Sequence, residues 1–199
     1  MPHHVHLLSE RNRDALLAHF LQLGPEDRHL RFGTSIGDAG IRVYVDSLDF
    51  TESDVFGVFD EHLQVVGAVH LACAADEAEL GLSVLKDARG KGIGNGLFER
   101  ATIHLSNRFV RRVYMHCLRE NQAVIHIAIK NGMRVALDGS EADAWLELPG
   151  ASPGSVTAEW IASRLARLDY RQKIGAQSTR KMLEALGGGT VARARAARQ

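Results

Sequence analysis

The sequence predicts a mixed α/β domain, in the α+β sense of a sheet carrying helices, and three observations predict it. Residues Val55 to Asp60 and Gln64 to Cys73 are two strand-like runs joined by a polar turn, Asp60-Glu61-His62. Glu79 to Leu85 is a further strand that runs into a loop with Gly90, Gly92, Gly94 and Gly96 at every second position, and a helix opens inside that loop. Residues 111–148 then read strand, helix, strand, strand. The loop organises the rest. Bare backbone N–H groups and the positive end of a helix dipole point the same way there, which makes an anion site, and Arg89 and Lys91 add cations beside it.

In chain order, Val5 and Leu7 alternate with His4 and His6 in a short strand from His3 to Leu8. Ser9 suits the N-cap of a helix whose Leu16, Leu17, Phe20 and Leu21 fall on one face. Gly24-Pro25 breaks it, and Pro25-Glu26-Asp27 opens a second helix that ends near Arg31-Phe32-Gly33. Ile41 to Leu48 reads as a third helix, against the β-branched Val43 and Val45. After the hairpin, Ala74 to Glu77 reads as a turn. In the strand 79–85, Leu80, Leu82 and Val84 face one way. Gly81 and Ser83 face the other, where small residues let something approach the backbone.

Beyond the loop, Leu97, Phe98, Ala101 and Leu105 give the next helix one apolar stripe. Arg111 to Leu118 is a strand. Asn121 caps a helix with Val124, Ile127 and Ala128 inward, which Asn131-Gly132 ends. Strands Met133–Leu137 and Ala144–Leu148 flank a polar loop, and Pro149 closes a domain of residues 1–149. Residues 150–199 form an extension: a linker at 151–155, a helix bearing Trp160, Ile161, Leu165 and Leu168, and a second helix over Thr179 to Leu186. The Gly187–Gly189 triplet and the basic tail after it have the composition of a disordered segment.

Composition narrows the class. The 199 residues suffice for one domain with a real core, and no apolar run is long enough to span a membrane. The start, MPHHVHLLSE, lacks a signal-peptide pattern, and Cys73 and Cys117 stand far apart outside any CxxC motif. A cytoplasmic protein with reduced thiols is the expectation. Residues 151–199 carry nine Lys/Arg against three Asp/Glu, so they suit either an acidic partner or the acidic remainder of the chain. With Tyr170 as their sole aromatic beside the basic residues, nucleic acid is not the expected partner. His3, His4 and His6 lack a carboxylate or Cys at ligand spacing, so no metal is expected and they read as a surface terminus. Adjacent His116 and Cys117 face opposite ways on a strand, which excludes a paired nucleophile and leaves Cys117 in the core.

Spacing excludes two common phosphate loops. A P-loop needs GxxxxGK[ST], whereas Lys91 is followed by Gly92. A dinucleotide fingerprint needs GxGxxG at the first strand of a βαβ unit, and this loop follows several strands. The run Arg89-Gly90-Lys91-Gly92-Ile93-Gly94 resembles instead the R/Q-x-x-G-x-G/A loop of the GNAT superfamily of N-acetyltransferases. Ala78 to Val84 resembles the strand before that loop, and NQAVIHIAIKNGM, Asn121 to Met133, resembles the family's later Asn helix. The resemblance covers residues 3–149. The segment Leu23 to Phe32 resembles a subset of the superfamily in which some members modify protein lysines, although Gly33 stands where a second aromatic is usual.

The resemblance implies a mixed, mostly antiparallel twisted sheet with helices on both faces and a splayed central strand pair. It implies acetyl-CoA as co-substrate, its pyrophosphate on Arg89, Gly90, Lys91, Gly92, Ile93, Gly94, Asn95 and Gly96. The pantetheine arm would pair with Leu82, Ser83 and Val84, and Asn121 would bond that arm, cap its own helix, or do both. The Val84 N–H would hold the developing oxyanion, and Glu79 would take the amine proton as general base, through a water. Asp76 and Glu77 are substitutes for that base, or part of an acidic mouth that attracts an amine. The family's proton donor is a Tyr of the Asn helix, and Ala128 stands at that position. That leaves the general acid open between Tyr114 on the neighbouring strand, water, and direct departure of the thiolate. The function expected is acetyl transfer to a primary amine, on a small molecule or a protein, by direct attack. The alternative is a non-catalytic acyl-CoA-binding sensor or docking module, which the missing tyrosine favours. A homodimer through the Trp160 helix is among the arrangements the sequence allows, as is that helix covering the acceptor space.

Overall fold

The computed structural model describes residues 3–196. Seven strands form one sheet: β1 (Val5–Leu7), β2 (Asp54–Phe59), β3 (Val65–Ala74), β4 (Glu77–Val84), β5 (Arg112–Leu118), β6 (Arg134–Asp138) and β7 (Glu141–Glu147). Their spatial order is β1-β2-β3-β4-β5-β7-β6. Neighbours are antiparallel except β4 and β5, which run parallel at the centre. The helices are α1 (Arg13–Leu21), α2 (Pro25–Phe32), α3 (Asp38–Asp46), α4 (Ile93–Asn107), α5 (Gln122–Lys130) and α6 (Pro153–Ala196). No described helix is long and apolar enough to cross a membrane.

Strand alternation sends successive side chains to opposite faces, and each face has its own core. Leu80 and Leu82 of β4 join Phe56, Val69 and Met115 against Leu97, Phe98 and Ala128 of α4 and α5. On the other face, Val55, Val65 and Ala68 pack against Leu16 and Phe20 of α1 and Ile41 and Val45 of α3. Each fully buried Leu, Ile or Phe contributes roughly 1.5–3 kcal/mol. The helices thus clamp β4 from both sides.

Four elements differ from the sequence reading. The helix α3 begins at Asp38, behind an extended Gly37, and its β-branched pair divides by face: Val43 is exposed and Val45 buried. Packing of Ile41 and Val45 decides the helix over local propensity. The strand β4 begins at Glu77, because Ala75 takes a positive φ of 53° and the turn shrinks to Ala75-Asp76. The polar loop 138–143 is likewise mostly strand, turning only at Gly139-Ser140. Two-residue hairpin turns leave polar residues in the strands on an exposed face. The extension is one helix from Pro153, without a break between Leu168 and Thr179, and its described span passes through the glycine triplet to Ala196. The end of the tail, 197–199, lies outside the described residues.

The helix α6 packs along α4 and β1, away from the β4–β5 centre. Tyr170 stacks on Phe59 and His6, and Lys173 Nζ donates to the Phe59 carbonyl at 2.9 Å. His6 is therefore buried, and His3 Nε2 bonds the Lys91 carbonyl oxygen at 2.8 Å. The histidine-rich start is not a loose surface terminus: His3 is bonded to the glycine loop and His6 is buried against α6. Cys117 is buried in the core and Cys73 is exposed, both as free thiols.

Candidate functional site

The centre of the sheet is open. Parallel pairing between β4 and β5 covers only Glu77↔Arg112, Ala78↔Val113 and Glu79↔Tyr114. Beyond that point β4 continues along β3 to Val84, and β5 continues along β7 to Leu118, so the two strands splay. Glu79 is the last paired residue, at the apex of the fork, and its side chain is exposed. Leu85 donates to the Val66 carbonyl at 2.9 Å. Antiparallel ladders alternate, so the N–H groups of Val84 and Leu82 point away from β3 into the fork.

A cavity of about 360 Å³ fills the fork. Leu82, Ser83 and Val84 form one wall, and Asn121, Val124 and Ile127 of α5 another. Arg89, Gly90, Gly92, Ile93, Gly94 and Asn95 close one end, and Asp27, Leu30 and Arg31 of α2 lie across the top. Gly90 and Gly92 take φ of 74° and 80°, conformations that side chains disfavour, and this lets the loop turn its amides inward. The first N–H groups of α4 have no partner within the helix, and the first intrahelical bond is Gly96 N–H to the Gly92 carbonyl at 3.0 Å.

Not every expected residue joins this lining. The Gly96 amide is spent on the helix. Lys91 turns away, its Nζ donating to the Asp87 carbonyl at 2.8 Å. Neither lines the cavity. The Tyr114 hydroxyl donates to Glu77 Oε1 at 3.1 Å and accepts from Arg112 Nη1 at 2.9 Å, below the fork and outside the lining. Ala128 is core. Asn121 serves as a cap, its Oδ1 accepting from the Val124 N–H at 3.3 Å, while its amide donates to the Leu30 carbonyl at 3.3 Å. It also lines the cavity, so capping leaves it beside any bound chain. Among the described residues, α6 contributes nothing to the lining, and Trp160 stays exposed, so this part of the helix does not cover the site.

Electrostatics divide the site by face. Arg89 bridges strand and helix, with Nε donating to the Val84 carbonyl at 3.1 Å and Nη2 pairing with Asp27 at 2.7 Å. Under β4, the Ser83 hydroxyl donates to His19 Nε2 at 2.8 Å, and His19 Nδ1–H donates to the Val65 carbonyl at 2.8 Å. Burial pushes the His19 ring down to about 4, the Val65 bond opposing and the Arg31 charge adding. On the β5 side, the hydrogen bond that the His116 ring donates to the Asp143 carboxylate lifts that ring above its ordinary value. Burial opposes, and the charges of Asp143, Glu141 and Glu79 add to the lift. Glu79 thus belongs to an exposed acidic cluster with Asp143 and Glu141.

Sequence reasoning missed Asp27, Arg31 and His19 as parts of this site. A signal was available for the first two: they stand four apart on one helix and so share a face. His19 carried none, because its partner Ser83 is distant in the chain.

A family model described as an acetyltransferase (GNAT) domain matches residues 13–134. No curated protein matches in sequence. Among solved structures, the chain is similar to the GNAT domain of a Streptomyces lividans protein titled PAT, with TM-score 0.62 and 18% identity over 72% of this chain and 89% of that one. The PaiA N-acetyltransferase of Thermoplasma acidophilum, solved with coenzyme A, has TM-score 0.57 and 18% identity over 74% and 99%. The spermidine N-acetyltransferase of Vibrio cholerae, solved with CoA and spermine, has TM-score 0.57 and 16% identity over 72% and 94%.

Proposed function

Because the chain belongs to the GNAT family of N-acetyltransferases, its chemistry is acetyl transfer from acetyl-CoA, and we propose that a primary amine attacks the bound thioester directly. One observation carries this reading: the β4–β5 ladder stops at Glu79, and beyond it Leu82 to Val84 line a cavity that runs to the N-terminus of α4, with Glu79 standing outside that lining at the apex of the fork. In the proposal, the pyrophosphate of acetyl-CoA sits on the amides of Gly92 to Asn95, with Arg89 balancing its charge. The amide-rich pantetheine arm pairs with Leu82 to Val84 as an added strand.

An amine is protonated near neutral pH, since its pKa is about 10, and it must lose that proton to attack. Glu79, at the fork apex, takes the proton through a water. The amine nitrogen bonds the acetyl carbon, and the Val84 N–H holds the oxyanion. The C–S bond then breaks, and the CoA thiolate takes its proton from solvent, since α5 offers Ala128 in place of a hydroxyl. The acceptor is a small molecule that carries a primary amine, or a protein amine; residues 1–149 are the transferase domain, and residues 150–199 are its extension. Two copies pair through the outer face of α6, where Ile161, Leu165 and Leu168 are about half exposed at coiled-coil spacing.

The test is acetyl-CoA turnover against a panel of polyamines, amino acids and lysine peptides. Glu79→Gln is expected to lower kcat by about 10²- to 10⁴-fold, with acetyl-CoA still bound. Undiminished turnover in that variant removes Glu79 from the role. Ala128 favours one second reading, a non-catalytic acyl-CoA sensor. Acetyl-CoA binding without turnover on any amine supports it.

A further inference from the structure

Arg31 sits directly on the backbone of β4. A Cβ at Gly81 would lie 2.2 Å from its Nη2 and 2.5 Å from its Cζ, so glycine there makes room for the guanidinium. The guanidinium carbon stands 5.0 Å from the Phe32 ring centroid and 5.9 Å from those of Phe20 and Tyr44. Its hydrogen bonding is nearly empty. Nη2 donates to the Tyr44 hydroxyl at 3.2 Å, and Nε is buried with no partner. Among the described residues no carboxylate pairs with it, whereas Arg13, Arg28 and Arg89 each pair with one. A guanidinium has five donors, and a half-buried charge without a counter-ion is costly. Beside it, Tyr44 meets His70 Nδ1 at 3.1 Å, and His70 Nε2 is buried with no partner.

Arg31 lines the cavity of the fork. Gly81 precedes Leu82, whose N–H faces the fork. It shares a strand face with Glu79, about 7 Å away at two residues' separation. We propose that Arg31 is the anchor for a carboxylate carried by the substrate beside the transferred acyl group, a step that rests on the acetyl-transfer reading of this site. Two sources share that chemistry. One is an amine acceptor that also bears a carboxylate, its nitrogen toward Glu79 and its carboxylate on Arg31. The other is a dicarboxylic acyl group on CoA, its free carboxylate on Arg31. The acidic cluster of Glu79, Glu141 and Asp143 on one side and Arg31 on the other suit a zwitterionic acceptor.

Calorimetric titration of the full chain tests this in two arms. One compares succinyl-CoA with acetyl-CoA. The other compares amino acids with their carboxamides, with CoA already bound. In one arm the carboxylate form is expected to bind about tenfold tighter or more. Arg31→Gln is expected to remove that preference, and Arg31→Lys to retain part of it. The arm that responds identifies the source. Equal affinities in both arms of the wild-type protein overturn the proposal without requiring any variant to fold, and so does a preference that survives Arg31→Gln. Failure of the acetyl-transfer reading itself shows separately, as acetyl-CoA that neither binds nor turns over.

Discussion

His19 shows how one side chain beneath a strand supports the wall above it. Its ring fixes Ser83 from below by accepting the hydroxyl proton, which requires the neutral tautomer with the hydrogen on Nδ1. Folded His19 titrates near 4 because it is buried, against an ordinary value of 6.5. As pH falls, the unfolded chain takes up the proton first. Stability is therefore complete above about 6.5 and declines toward about 4, by roughly 3 kcal/mol for this group. His70, also brought down to about 4 by burial and the Arg31 charge, acts in the same direction. Urea unfolding at pH 7 and pH 4.5 should show the decline, and His19→Gln should flatten part of it. A stability curve level across that window would contradict the buried neutral ring. None of this was readable at the residue level, because a histidine on an amphipathic helix looks like any surface histidine until its partner strand is known.

At the scale of elements, α2 and the glycine loop meet across the mouth of the fork. The loop was legible because glycine at alternate positions before an apolar stripe has few other uses. The contribution of α2 was not, since it depends on where the helix lands. Asp27 holds Arg89, and a bound phosphate has to compete with it. Partly exposed pairs of this kind contribute about 0.2–1 kcal/mol. Asp27→Asn is therefore expected to tighten CoA binding by about two- to fivefold, and Arg89→Ala to weaken it. Titration with CoA measures both, and a weaker Asp27→Asn complex would show instead that Asp27 positions Arg89. The two shortened turns, Ala75-Asp76 and Gly139-Ser140, belong to this scale too. Polar composition marked them as longer loops, whereas strand pairing on an exposed face tolerates polar side chains.

At the scale of the molecule, α6 is fastened by a polar network. Glu159 receives hydrogen bonds from Arg100 Nη1 at 3.0 Å and Asn107 Nδ2 at 2.6 Å, and lies 2.5 Å from His104 Nδ1. Burial works against its charge, yet the bonds from Asn107, His104 and Arg100 prevail and bring its carboxyl down to about 2. Its ionised form persists above that value, so the fastening holds throughout the neutral range. Glu159→Ala leaves Arg100 buried without its partner, and a loss of roughly 3 kcal/mol is expected in thermal or urea unfolding. A neutral result would mean that α6 adds little to the fold. The outer face of the same helix carries the proposed dimer. Sedimentation should find two copies together, and Leu165→Glu should separate them. A wild-type monomer at micromolar concentration would remove that part of the proposal.

The sequence by itself determined the glycine loop, the strand before it and the Asn-capped helix after it, and with them the fold and the acetyl-CoA chemistry. Those features are local: backbone conformation, strand alternation and helix capping are fixed by residues close together in the chain. Tertiary structure alone decided what stands over the fork. Arg31 reaches Gly81, 50 positions further along the chain, and Leu30 reaches Asn121 across a longer stretch. The docking of α2 on the splayed strands, which brings these groups together, depends on its contacts with β4 and β5, strands that lie far from it in the chain. No stretch of sequence states that packing, because its energy is shared among residues that meet only when the sheet has formed.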